Sequence, residues 1–161
     1  MKWKSIILSI VAFVSNLFFG NSDVQAQVQG LQIAGSTKVG TLYVDTNKTS
    51  AVKKDGAHYL TVFAEEKYTN QVFLSDLHKN EKLKEVVGAI YLFLFDNRGS
   101  SYCVAAKYLV DAQGQVCLDC GSNMKMKSLT VNDKTMLNAY TLCLKSLENK
   151  KRIQSSFIKK E

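Results

Sequence analysis

GAIYLFLFDNRGSSYCVAAKYLVDAQGQV, residues Gly88 to Val116, decides how this chain folds. Its first run, Ala89 to Asp96 (AIYLFLFD), is apolar at odd and even positions alike, as in a central strand covered on both faces. NRGS then supplies the residues of a tight turn. Tyr102 to Asp111 (YCVAAKYLVD) reads as a second strand, AQG as a second turn, and Val116 onward as a third strand. Three strands joined by short turns form an antiparallel meander.

Upstream, Leu31 to Ser36 (LQIAGS) and Leu42 to Asp45 (LYVD) read as short strands of a hairpin, separated by TKVG with Gly40 at its end. A polar connection, TNKTSAVKKDG, closes on Asp55-Gly56, a strong hairpin-turn pair, and HYLTVFAEEKY follows as a strand rich in β-branched and aromatic residues. Between Leu74 and Val87 the pattern changes, because Leu83, Val86, Val87 and Ile90 fall at helical spacing and Gly88 suits a helix end. Met136, Leu137, Tyr140, Cys143, Leu144 and Leu147 line one face of a terminal helix, with Asp133 at its positive end. The sequence therefore predicts an α+β fold: a mainly antiparallel sheet of about six strands, one inserted helix, and a C-terminal helix packed on one face.

The first 26 residues set the expected compartment. Lys2 and Lys4 precede an apolar run from Ile6 to Phe19, and Val24 and Ala26 are compact side chains in the places a signal peptidase reads before Gln27. The run is shorter than the roughly 20 residues of a spanning helix. We expect a signal peptide over residues 1–26, cleavage between Ala26 and Gln27, a single domain over 27–148 and a basic tail over 149–161. An extracytoplasmic location follows: the periplasm, the outer surface or the medium.

The order of these pieces is similar to a known family. LQIAGSTKVGTLYVDTNKTSAVKKDGAHYLTVFAE resembles the opening of the surface-adhesin protein E family, in which a tyrosine-bearing strand ends in Asp-(Thr/Ser) and a Lys-x-Gly linker precedes the next strand. YLFLFDNRGSSYCVAAKYLVDAQGQV resembles the aromatic strand and hairpin of that family, and AYTLCLK its terminal helix with a cysteine. The resemblance covers nearly all of the chain after residue 26. It implies a non-enzymatic binding module that contacts a host or matrix protein, with no cofactor and no metal. One position departs: Asn97 stands where the family carries the cysteine that partners the helix. The resemblance therefore implies that Cys143 ties the helix to the sheet, with Cys103 as the substitute partner.

Four cysteines, Cys103, Cys117, Cys120 and Cys143, lie in the domain, and an even number in an exported chain points to pairing. Three connectivities are open. With Cys103–Cys143 implied by the resemblance, Cys117 and Cys120 pair with each other if the chain turns at Leu118-Asp119; a Cys103–Cys120 bridge across the hairpin is the rival. A redox C-x-x-C belongs at a helix N-terminus, whereas this one continues a strand. A four-cysteine zinc site needs a second closely spaced pair, which Cys103 and Cys143 do not make.

Other chemistry is sparse. The two histidines, His58 and His78, have no motif partner, and Glu65 and Glu66 point to opposite sides of a strand. Tyr43, Tyr59, Tyr68, Tyr91, Tyr102 and Tyr108 suit a half-buried sheet. The full chain carries a formal charge of +7, and from Lys145 onward six basic residues face two acidic ones. Lys150, Lys151, Arg152, Lys159 and Lys160 are the candidate binding residues of this tail, suited to an anionic envelope component through summed charge rather than to sequence-specific reading of nucleic acid.

Overall fold

A computed structural model describes residues 30–158. Six strands form one antiparallel sheet in chain order: β1 (Leu31–Ser36), β2 (Gly40–Lys54), β3 (Ala57–Tyr68), β4 (Gly88–Asp96), β5 (Ser101–Val110) and β6 (Val116–Ser128). Helix α1 (Gln71–Leu77) and a 3-10 turn (Glu81–Leu83) separate β3 from β4, and helix α2 (Lys134–Ile158) ends the described chain. The predicted fold class is the observed one. Among the described residues no helix is long and apolar enough to cross a membrane.

Strand β4 holds the centre. It pairs with β3 through Val62↔Phe93 and with β5 through Phe93↔Val104, and its alternate residues feed two cores. Phe93 and Phe95 join Leu42, Val44, Leu60, Val62 and Ala64 under Ala139 and Cys143 of α2. Leu92 and Leu94 join Cys103, Ala106 and Tyr108 on the opposite face. A third cluster, built on Tyr68, Val86, Ala89 and Leu109, is covered by Phe73, Leu74 and Leu77 of α1 and by Leu83. Both helices therefore cover one face of the sheet.

Several expected elements take different bounds. Thr46 to Lys54 of the polar connection TNKTSAVKKDG is the second half of β2, with an irregularity between Asp45 and Ser50 before pairing resumes at Ser50↔Thr61. Its threonines and Val52 suit a strand, and Ser50 Oγ lies 2.7 Å from Thr61 Oγ1 across the pair. Asp55 and Gly56 have φ of 49° and 81°, the two positive values of a type I′ turn, between paired Lys54 and Ala57.

The inserted helix is shorter and earlier than the spacing of Leu83, Val86, Val87 and Ile90 suggests. Asn70 starts it by accepting from the amides of Val72 and Phe73 at 3.1 Å each. Ile90 belongs to β4, and Gly88 is not a helix cap but the first residue of that strand, where a Cβ would stand 2.5 Å from the Glu66 carbonyl. Strand β6 runs on through Gly121-Ser122-Asn123, which reads as a loop, to Ser128. Helix α2 continues past Leu147 to Ile158, because nothing from Lys134 onward is a glycine or proline that would stop it. The basic tail is thus the last part of this helix rather than a separate segment as far as residue 158.

Candidate functional site

The four cysteines correct the expected bridges: all are free. Cys103 is buried with Leu92 and Leu94, whereas Cys143 is buried with Phe93 and Phe95, so the sheet itself stands between them. Strand parity explains this. Tyr102 and Val104 pack toward α2, which turns Cys103 the other way.

The C-x-x-C pair has its own geometry. Register runs Lys107↔Gly121, Tyr108↔Asp119, Leu109↔Leu118 and Val110↔Val116, which leaves Cys117 and Cys120 as the extra residues of two β-bulges. Leu118 and Asp119 are paired strand residues, so the turn that a Cys117–Cys120 bridge requires is absent. Cys117 instead packs against the Tyr68, Val86, Ala89 and Leu109 cluster, and burial pushes its thiol pKa up, helped by the charges of Asp111 and Glu85. Cys120 is exposed. The rival Cys103–Cys120 bridge fails too, since Cys103 faces the core away from the helices. Among the described residues no group of three or more His, Cys, Asp or Glu side chains is placed to hold a metal ion.

Edge strand β6 is open along its length. Of its thirteen residues only Cys117 is partly covered. Val116, Leu118, Met124 and Met126 are exposed at 46%, 43%, 39% and 37%, an unusual apolar load for a strand with one free hydrogen-bonding edge. Lys125 lies between the two methionines, and Lys127 sits 5.7 Å above the Tyr102 ring and 3.7 Å from Asp133.

Between the β1–β2 turn and β4 lies a buried polar cluster that sequence reading did not assemble. Glu66 is 6% exposed, and its carboxylate accepts from the hydroxyls of Thr37 and Tyr91, the latter at 2.7 Å. Burial drives the Tyr91 phenol far above its ordinary pKa, with the hydrogen bond to Glu66 and the Glu66 charge adding to it. Tyr68 is pushed up to about 12, again by burial first and by Glu66 second. Glu65, one residue away on the other face, also has a raised pKa because it is buried, although Lys67 and Lys48 pull against the shift. The period of two along β3 would have placed Glu66 on the apolar side with Leu60, Val62 and Ala64. Neither histidine joins this cluster: His58 is exposed, and His78 Nε2 donates to the Val86 carbonyl at 2.8 Å.

A groove of about 430 Å³ follows the seam where α2 lies on β1 and β2. Leu142, Lys145, Ser146 and Asn149 are successive members of one helix face, and across from them stand Gln32, Thr46 and Asn47. Lys150, a predicted tail residue, closes one end: its ammonium donates to the carbonyls of Thr46 and Asn47 at 3.3 and 2.7 Å, and Ser146 Oγ donates to the same Thr46 carbonyl at 2.9 Å. Lys151 and Arg152 are exposed further along the helix. Lys159, Lys160 and the cleavage pair Ala26 and Gln27 lie outside the described residues.

Comparison with known families, with curated proteins and with solved structures finds no match to this chain.

Proposed function

We propose that this chain is an extracytoplasmic, non-enzymatic binding module that contacts a host or matrix protein through the open edge of its sheet. The observation that carries the reading is β6, a thirteen-residue strand exposing Val116, Leu118, Met124 and Met126 at an edge of the sheet with a strand on one side only. An extended segment of a partner adds to such an edge by backbone hydrogen bonding, and the side chains around it set the choice. Methionine suits this work because its flexible thioether fits differently shaped partners. The signal-peptide pattern at residues 1–26 and the resemblance to surface-adhesin protein E support the location and the class of partner.

Binding of an anionic envelope component by the tail is the competing reading, and it has less to work with. Lys150, its first residue, is committed to the Thr46 and Asn47 carbonyls.

The test compares the chain from Gln27 onward with its Leu118→Lys/Met124→Lys variant on immobilised matrix proteins, by surface plasmon resonance at two salt concentrations. The edge reading expects binding that survives about 0.3 M salt, where exposed charges more than several Å apart are screened, and that falls at least tenfold in the variant. Binding that vanishes with salt and ignores the variant would transfer the function to the tail.

A further inference from the structure

The seam groove has chemistry of its own, independent of the edge strand. The side chains of Lys145, Gln32 and Asn149 make no hydrogen bond or ion pair among the described residues, so three polar side chains line one groove with their capacity unused. Lys150 adds a second positive charge. Its ammonium is fixed in place by two carbonyls and, among the described residues, by no carboxylate. Asp45 is close in sequence but turns to Lys48, with Oδ2 at 3.2 Å from the ammonium, and its other oxygen accepts the Asn47 amide at 3.0 Å. The groove lining thus contains two cations and no acid.

We propose that this groove binds an anionic sugar unit, with Lys145 meeting its acidic group, the carbonyl-bound Lys150 adding only its positive charge at one end, and the amides of Gln32, Asn47 and Asn149 facing its hydroxyls. Each amide side chain offers both donors and an acceptor, which is what vicinal hydroxyls require and what a bare anion does not use. Leu142 gives the lining an apolar patch against which the C–H face of a ring packs. The volume suits one or two rings, at the small end of ligand pockets. The acidic group is a carboxylate or a sulfate, each matched to lysine as a compact point charge.

A titration of the isotope-labelled chain from Gln27 onward, followed by amide NMR, tests this with three probes: trigalacturonate for the carboxylate, a heparin tetrasaccharide for the sulfate, and maltotriose as the neutral control. Binding by either acidic probe, with shifts centred on Gln32, Asn47, Leu142 and Asn149 and at least tenfold weaker binding of maltotriose, supports the site and shows which acid it takes. Lys145→Gln should weaken the acidic probe roughly tenfold, the scale of one lost charge-assisted contact. Lys159→Gln/Lys160→Gln should leave it within twofold. Inorganic sulfate competing as well as the tetrasaccharide at equal concentration would remove the sugar from the proposal. Shifts that follow the tail variant rather than Lys145, or no shift with any probe up to about 10 mM, would overturn it. None of these outcomes depends on the edge of β6, so the two readings fail separately.

Discussion

The Tyr91 hydroxyl donates to Glu66 Oε2 at 2.7 Å inside the sheet, joining a residue of β3 to a residue of β4 that are 25 positions apart in the chain. Thr37, from the β1–β2 turn, donates to the other carboxylate oxygen, so one buried acid ties three parts of the fold together. Tyr91→Phe removes a donor and leaves a carboxylate oxygen buried without it, at a cost of about 1–3 kcal/mol. A fall in the melting temperature by several degrees is the expected result. A calorimetric scan showing no change would mean that water reaches Glu66.

The same cluster makes the fold sensitive to alkali. Tyr68 has its pKa raised from 10.0 to about 12 by burial and by Glu66, and Tyr91 is raised further. Raised phenol values mean that the folded chain keeps protons that the unfolded chain releases, so their contribution is complete below pH 10 and is lost as pH climbs toward 12 and beyond. Stability measured by urea unfolding should therefore decline between about pH 10 and 12. In Tyr68→Phe that decline should be shallower, and an unchanged slope would show that these phenols are not buried as described.

Thiol reactivity separates the cysteines by position. Cys103 and Cys143 are buried on opposite faces, and burial pushes both thiol pKa values up, while Cys120 is exposed and Cys117 partly so. Native protein should react with a thiol reagent at Cys120 first and Cys117 next, and the two buried thiols should react only on unfolding. Peptide mapping that found Cys103 bridged to Cys143 would contradict the two-faced arrangement of β5.

These thiols also mark where sequence reading stopped. The β4–β5 hairpin was legible because AIYLFLFD is apolar on both faces and NRGS is a turn, and the structure forms that turn around Asp96, whose carboxylate accepts from the Arg98 and Ser100 amides and from the Ser100 and Ser101 hydroxyls. Parity along β5 was harder to read. It depends on a bulge between the partners of Leu92 and Phe93, and a bulge is set by pairing with another strand rather than by local composition. Gly121-Ser122-Asn123 misled for the same reason: Gly121 does take the turn-like φ of 73°, yet its pairing with Lys107 and that of Asn123 with Val104 carry the strand through. The seam groove was invisible because Gln32 and Lys145 meet only after a helix more than 100 residues later lies across β1.

Gly40 offers a backbone test of the β2–β3 pairing. It opens β2 opposite Tyr68, and a Cβ there would stand 1.9 Å from the Lys67 carbonyl oxygen, a backbone atom that cannot rotate away. Gly40→Ala must push the two strands apart, at roughly 1–3 kcal/mol of overpacking. At Gly56 a Cβ would meet nothing within 4 Å, so Gly56→Ala carries only the strain of its positive φ. The first variant should melt several degrees below the second. Equal melting temperatures would place the β1–β2 turn further from β3 than the register shows.

Lys150 separates a structural cation from a binding one. Its ammonium caps the Thr46 and Asn47 carbonyls where β2 breaks register, and Ser146 donates to the same Thr46 carbonyl, so the middle of α2 is fastened to the irregular part of the strand. Hydrogen bonds from a charged donor are worth about 1.5–3 kcal/mol each before solvent exposure reduces them. Lys150 is half-buried and its neighbour Lys151 is exposed, one residue round the helix. Lys150→Met keeps the apolar stem and removes the donors, so it should cost about 1–2 kcal/mol, whereas Lys151→Met should change stability by less than about 0.5 kcal/mol. The acceptors are neutral carbonyls, not carboxylates, so the loss in Lys150→Met should persist at about 0.5 M salt where an exposed ion pair would be screened away. Urea unfolding of both variants at low and high salt gives the answer, and a Lys150→Met chain as stable as the parent would return Lys150 to the tail as a free binding charge.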